Sequence, residues 1–249
     1  MYIMYMKFAS ASFIALFIIF GLLSGCSSYQ AVALPGDELR MSRDSKYMVL
    51  LPPEHATLKE PGIIFYPGGR VSPESYAVML GKLVERGHPA VIVSMPFDLA
   101  VLGISRGLEA RNTVPGVHQW VIAGHSLGGA MAAWLVHREP DAFSALVLMA
   151  SYPAKSRSLA DASIPVLSLY AELDGLAAVS DIDERRELLP AHTQYHLIAG
   201  GNHAQFGSYG LQKDDGEASI TEEDQHQVIV RALAEFLDSL PQTNLTEPD

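Results

Sequence analysis

Two stretches of this 249-residue chain set a serine between glycines at minus two and plus two: "GHSLG", Gly124 to Gly128, and "GISRG", Gly103 to Gly107. A serine of this kind reaches a carbonyl when it stands in a tight turn between a buried strand and a helix, where β-carbons at the flanking positions would collide. "QWVIAG" (119–124) reads as a strand leading into Ser126, and "GGAMAAWLV" as a helix of small residues leaving it. That helix would aim its unbonded N–H groups and positive dipole end at the reacting centre. "GISRG" lies inside "PFDLAVLGISRGLEARN", with no strand before it, so Ser105 is expected to be structural or solvated. Ser126 is the candidate nucleophile.

A serine hydroxyl needs a histidine to take its proton and an acid to orient that histidine, and in such sites both follow the serine, acid first. His203 stands in "AGGNHAQFG", a glycine-rich loop directly after the candidate strand "QYHLIA" (194–199), and is the candidate base. His192 and His196 are four apart but show no third ligand for zinc, and His226, in the charged first turns of the last helix, is expected to be solvated. For the acid, Asp174 precedes Gly175 in a turn just past the strand "PVLSLY", with Glu172 in reserve. Asp181 and Asp183 read as first-turn helix acids. The developing oxyanion needs two backbone N–H donors. Leu127, after the nucleophile, supplies one; Gly69, in "PGGR" after the strand "GIIFYP", is the candidate for the other.

These residues must be carried by something. Continuous apolar runs at 47–52, 62–67, 89–95, 119–124, 145–150, 165–170 and 194–199 read as strands covered on both faces. Between them lie helical patterns, "PESYAVMLGKLVERG", "AMAAWLVHR", "DIDERRELL" and "ITEEDQHQVIVRALAEFLDSL", the last capped by Thr221 and Asp224. Strand–helix alternation predicts an α/β fold with a mostly parallel sheet that opens its ligand site at the carboxyl ends of the strands. One catalytic domain is expected over 45–240, followed by a frayed tail at 241–249.

Composition agrees with a globular body: 49% of residues are apolar and 18% charged. The formal net charge is −11 with no long basic run, which argues against nucleic acid as a partner. The single cysteine, Cys26, excludes an internal disulfide. Residues 1–26 hold Lys7 and then an uncharged apolar stretch from Phe8 to Leu23, shorter than the ~20 residues of a spanning helix. The stretch ends in "LSGC", which resembles the bacterial lipoprotein signal. The resemblance implies cleavage after residue 25, lipidation of Cys26, a tether over 26–44 and a location on the cell envelope. Ser27, where that family uses aspartate for inner-membrane retention, points to the outer membrane where the cell has one.

With "GHSLGG", "ELDG" and "GGNHAQFG" in this order, and "YPGGRVSPESYA" before them, the chain resembles the α/β-hydrolase superfamily. Within it, the chain is similar to the compact bacterial hydrolases grouped near dienelactone hydrolase. The resemblance implies nucleophile Ser126, acid Asp174, base His203, and oxyanion amides near Gly69 and Leu127, with no metal and no organic cofactor. Dienelactone hydrolase proper uses a cysteine where this chain has Ser126. Residues 151–164 are too few for an inserted lid, and the family's eight strands exceed the seven candidates here. Arg70, Met95, Tyr152, Phe206 and Tyr209 lie in loops of the active edge, as pocket lining or as packing. The expected activity is hydrolysis of a small ester-like substrate by a lipid-anchored enzyme. The alternatives are cleavage of a thioester, amide or lactone, and a binding lipoprotein without catalysis.

Overall fold

In a computed structural model, which describes residues 28–36 and 39–241, each of the seven apolar runs becomes a strand. They are β2 (Tyr47–Leu51), β3 (Gly62–Tyr66), β4 (Ala90–Val93), β5 (Trp120–His125), β6 (Ala145–Met149), β7 (Val166–Ala171) and β8 (Gln194–Ile198). An eighth strand, β1 (Arg40–Arg43), pairs antiparallel with β2 inside the stretch expected to be tether. All four of its residues are exposed, so no apolar periodicity announces it; its hydrogen bonds to β2 alone define it. The order is β1-β2-β4-β3-β5-β6-β7-β8, parallel from β4 through β8, with β2 antiparallel to β4.

Helices cover both faces. On one side α1 (Ala77–Val84) and α5 (Glu222–Ser239) pack over Ile63, Phe65, Val121, Ala123 and Val147. On the other, α2 (Arg106–Ala110) and α3 (Leu127–Arg138) pack over Ile64, Tyr66, Ile122, Leu146 and Leu148. A short α4 (Val179–Glu184) follows β7. The side chain of Thr221 accepts the Asp224 N–H at 3.1 Å, giving α5 the N-cap expected from its sequence. β3, β5, β6 and β7 are buried throughout, as their unbroken apolar runs require. The edge strand β8 is instead largely exposed.

The connections determine where a ligand can enter. From β3 the chain moves outward to β4 and then returns to the other side of β3 as β5, so the strand order reverses between β3 and β5. An open parallel sheet offers its crevice at such a point, outside the carboxyl ends of the strands. Register places these ends side by side: Tyr66 is level with Gly124, and His125 with Met149. The loop after Tyr66 and the turn after His125 therefore emerge together. Only a short link with one 3-10 turn, Lys155–Arg157, joins β6 to β7, and no lid covers this edge among the described residues.

Candidate active site

Ser126 ends β5 and begins α3 with φ 52° and ψ −122°, a left-handed backbone that a non-glycine residue adopts at a cost of ~1–3 kcal/mol. Bonds on both sides hold it there. Its N–H donates to the Met149 carbonyl at 2.9 Å, and its own carbonyl accepts the Ser151 hydroxyl at 2.7 Å. The flanking glycines are steric necessities. A β-carbon on Gly128 would lie 2.1 Å from the Tyr66 carbonyl oxygen, and one on Gly124 would lie 2.5 Å from the backbone of Gly128. Sheet, turn and helix touch backbone to backbone here, which is how the side chain of Ser126 comes to the sheet's edge.

The other "G-x-S-x-G" serves packing. Gly107 leaves room for the Tyr66 phenol, which accepts the Gly107 N–H at 2.9 Å and donates to the Ile104 carbonyl. Ser105 accepts from the Arg138 guanidinium at 2.9 Å.

Asp174 and His203 meet. The imidazole Nδ1–H donates to Asp174 Oδ2 at 2.8 Å, and both residues are buried. The other oxygen, Oδ1, accepts the N–H groups of Leu176 at 2.8 Å and Ala177 at 2.7 Å. Glu172 points elsewhere and accepts the Gly200 N–H at 2.8 Å. His203 lies against the elbow: its ring centroid is 4.4 Å from that of His125, the residue before Ser126, with the two rings tilted by 49°. With Nδ1 taken, Nε2 is the imidazole nitrogen left for a proton from the serine. Among the described residues no hydrogen bond joins Ser126 Oγ to His203; contacts of this kind are often long without substrate and tighten when it binds.

Three residues that the sequence did not single out build this constellation. Asp215 accepts four backbone N–H groups: those of Gly175 at 3.1 Å, His203 at 3.2 Å, Ala204 at 2.8 Å and Gly216 at 2.8 Å. It thereby clips the loop of the acid to the loop of the base. Tyr76 and His125 link the other two parts. The Tyr76 hydroxyl accepts the Gly68 N–H at 2.9 Å and donates to His125 Nδ1, also at 2.9 Å. Burial, with the His203 imidazole as a second cause, holds the pKa of His125 well below the ordinary histidine range, so it stays neutral. Burial likewise pushes the Tyr76 phenol up, which keeps it a donor. The signals were slight: Tyr76 reads as one more apolar helix position and Asp215 as a loop acid in "DDGE".

The loop after β3 leaves one amide unused. The N–H of Gly68 goes to Tyr76, that of Arg70 to the Asp98 carbonyl at 2.7 Å, and that of Val71 to the Gly68 carbonyl at 3.2 Å. Gly69 alone of these has no hydrogen bond among the described residues, and a β-carbon on it would lie 3.1 Å from the Leu127 side chain. Leu127, first residue of α3, also keeps its N–H unbonded, as a helix's first residue does.

Several expected positions prove to be packing. Met95, Phe206 and Tyr209 are buried in the core; Phe206 stacks on His125 at 5.3 Å. Tyr152 is half-buried beneath the Arg185 guanidinium at 4.3 Å, and Arg70 is half-buried with φ 62°. His226 is buried rather than solvated, with Nε2 unpartnered, because the first turns of α5 lie against Lys82 and the Gln205 backbone. His192 Nε2 bonds the Ile164 carbonyl at 3.1 Å, while His196 faces outward from β8. No metal-binding cluster of His, Cys, Asp and Glu occurs among the described residues. Cys26, with the signal sequence, lies outside the described residues.

Comparison with known proteins agrees with this architecture. A family model described as "Alpha/beta hydrolase family" matches residues 62–227. Among solved structures, a dienelactone hydrolase from Anabaena variabilis superposes with a TM-score of 0.62 at 15% identity, over 82% of this chain and 100% of that one. Est1E from Butyrivibrio proteoclasticus gives 0.58 at 14%, over 81% and 100%. The esterase Rv0045c from Mycobacterium tuberculosis gives 0.55 at 16%, over 84% and 93%. No curated protein matches the chain.

Proposed function

The chain belongs to the alpha/beta hydrolase family, and from that premise we propose that it is a serine hydrolase of carboxylic esters or related acyl bonds, held on a bacterial membrane by a lipid on Cys26. Ser126 is the nucleophile, His203 the general base and Asp174 the orienting acid. The observation that supports this most is the buried hydrogen bond between His203 Nδ1 and Asp174 Oδ2, 2.8 Å long, beside the strained turn of Ser126.

In this reading Ser126 Oγ attacks the substrate carbonyl while His203 Nε2 takes its proton. Asp174 fixes the tautomer and stabilises the imidazolium without itself becoming protonated. The N–H groups of Gly69 and Leu127 receive the oxyanion, each worth about 3–4 kcal/mol of barrier. Collapse of the tetrahedral adduct breaks the bond to the leaving group, which takes the proton from His203. Water then attacks the acyl-serine by the same route in reverse and frees the acid. His125 takes no proton in this cycle; neutral and buried, it is a surface against which the base packs.

Ester and dienelactone hydrolysis, named for proteins of the same fold, favour an ester over an amide. A panel of p-nitrophenyl esters of graded chain length, thioesters and lactones tests the proposal. Turnover of at least one class, abolished by Ser126→Ala, supports it. A folded protein that turns over none and resists serine-directed phosphonates would instead be a binding lipoprotein on a hydrolase scaffold.

A further inference from the structure

We infer that the catalytic edge of this protein faces the membrane, so that its substrate is an amphiphilic ester drawn from the bilayer surface. The inference rests on the proposed function, in particular on lipidation of Cys26.

The described chain begins beside the reacting groups. The N–H of Tyr29 donates to the Arg70 carbonyl at 2.7 Å, and its carbonyl accepts the Ser72 N–H at 2.9 Å. This pairs it with Val71, two residues past Gly69. The Val32 N–H donates to the Ser208 carbonyl at 2.9 Å, five residues past His203, and the rings of Tyr29 and Tyr209 lie 5.5 Å apart. The segment after the anchor is thus fastened to both the oxyanion loop and the loop of the base. Two residues, Ser27 and Ser28, separate Cys26 from Tyr29, and the three Cα–Cα steps reach at most ~11 Å. An acylated Cys26 therefore cannot leave this edge far from the lipid.

The same edge carries exposed apolar side chains. Phe97, in the loop after β4, is 85% exposed, and Leu211, in the loop after His203, is 91% exposed; Val32, bonded to Ser208, and Leu176, two residues past Asp174, are exposed as well. Phe97 and Asp98 both hold left-handed backbone, with φ 54°, and the Asp98 carbonyl is bonded to the Arg70 N–H, so the exposed ring is tied to the oxyanion loop. Leu176 is bonded to Asp174 through its own N–H. Exposed apolar residues on loops bonded to those of the site suit an interfacial substrate, and insertion of a few of them adds to what an anchor provides. The formal charge of −11 makes a purely electrostatic attachment to anionic lipid unfavourable, so the contact must be apolar. No helix among the described residues is long and apolar enough to cross a membrane.

The test uses the full chain expressed in bacteria, with acylation of Cys26 read by intact mass, reconstituted in dioleoylphosphatidylcholine vesicles. Phe97→Cys, Leu211→Cys and Asp141→Cys are each labelled with an environment-sensitive fluorophore; Asp141 is exposed in the loop before β6, at the opposite edge. Labels at 97 and 211 should brighten severalfold and be quenched by nitroxide-bearing phospholipid, while the label at 141 stays unchanged. Phe97→Ser with Leu211→Ser should slow hydrolysis of vesicle-embedded p-nitrophenyl palmitate about tenfold, from the apolar area withdrawn from the interface, and leave water-soluble p-nitrophenyl acetate unaffected. Equal responses at all three positions in an acylated protein overturn the inference and leave the hydrolase intact, as do equal losses on both esters. Brightening that follows protein concentration without vesicles also overturns it, assigning the edge to a second copy of the chain. An unacylated Cys26 removes the premise and the inference together, while phosphonate labelling of Ser126 would still report separately on the hydrolase.

Discussion

Asp174 approaches His203 with one carboxylate oxygen and is gripped by the backbone with the other: Oδ2 accepts the imidazole N–H, Oδ1 the amides of Leu176 and Ala177. This division holds the Asp174 carboxylate in place from both of its oxygens. In Asp174→Asn, Oδ1 can keep its two backbone bonds, but the atom facing His203 becomes an amide N–H₂ that favours the wrong tautomer. kcat should fall about 10⁴-fold with the melting temperature little changed. Glu172→Gln, whose carboxylate accepts the Gly200 N–H and no other hydrogen bond among the described residues, should retain activity within a few-fold. Equal losses in the two variants would remove Asp174 from its role.

Asp215 holds four N–H groups on the two loops that carry the acid and the base. Asp215→Ala would orphan donors whose hydrogen bonds to a charged group are worth about 1.5–3 kcal/mol each when made, though partial access to water reduces the loss. The expected outcome is a drop of several kcal/mol in urea unfolding together with a fall in kcat, and partial recovery in Asp215→Asn. Unchanged stability would show that the clip is incidental.

Gly128→Ala should be far more damaging than its single methyl suggests. The new carbon would meet the Tyr66 carbonyl at 2.1 Å, backbone against backbone, with no side chain able to yield. The variant should lose soluble expression or activity outright, whereas Ala at Gly36, whose β-carbon meets nothing, should be silent. Wild-type activity in Gly128→Ala would mean that the elbow is looser than described.

His226 gives stability a pH dependence of defined sign. Burial, then the Lys82 ammonium, lowers its pKa to about 4 from an ordinary 6.5, against weaker opposing effects of Glu223 and the Gln205 backbone. The unfolded chain therefore binds this proton first. The folded state keeps its full advantage above about 6.5 and loses it as pH falls toward about 4, up to ~3 kcal/mol in all. His125, also buried and neutral, acts in the same direction. His226→Leu should flatten the unfolding free energy across this range relative to wild type; an unaltered slope would contradict the assignment.

How far the sequence could be read depended on which physical signal each element left in it. The central strands announce themselves because burial on both faces demands uninterrupted apolar side chains, as in Gly62–Tyr66 and Ala145–Met149. β1 is invisible for the opposite reason: "RMSR" is exposed throughout and is a strand only because β2 offers it hydrogen bonds. The candidate catalytic residues stood out through local turn chemistry, since Ser126, Asp174 and His203 each lie just past a strand end with glycine within two residues. Their supports were not. Tyr76, His125 and Asp215 act through contacts distant in sequence, and no periodicity marks a carboxylate that ties two loops together. Likewise Phe206, Tyr209 and His226 look solvent-facing or pocket-facing in sequence, and only the packing of α5 and the loop after β8 shows that they are interior.

The central claim concerns one oxygen atom. Incubation of the intact protein with a fluorophosphonate, followed by peptide mapping, should find the phosphonyl group on Ser126, with labelling lost in Ser126→Ala and His203→Ala and retained in Ser105→Ala. Modification at Ser105, or no modification of a folded protein, would contradict the account.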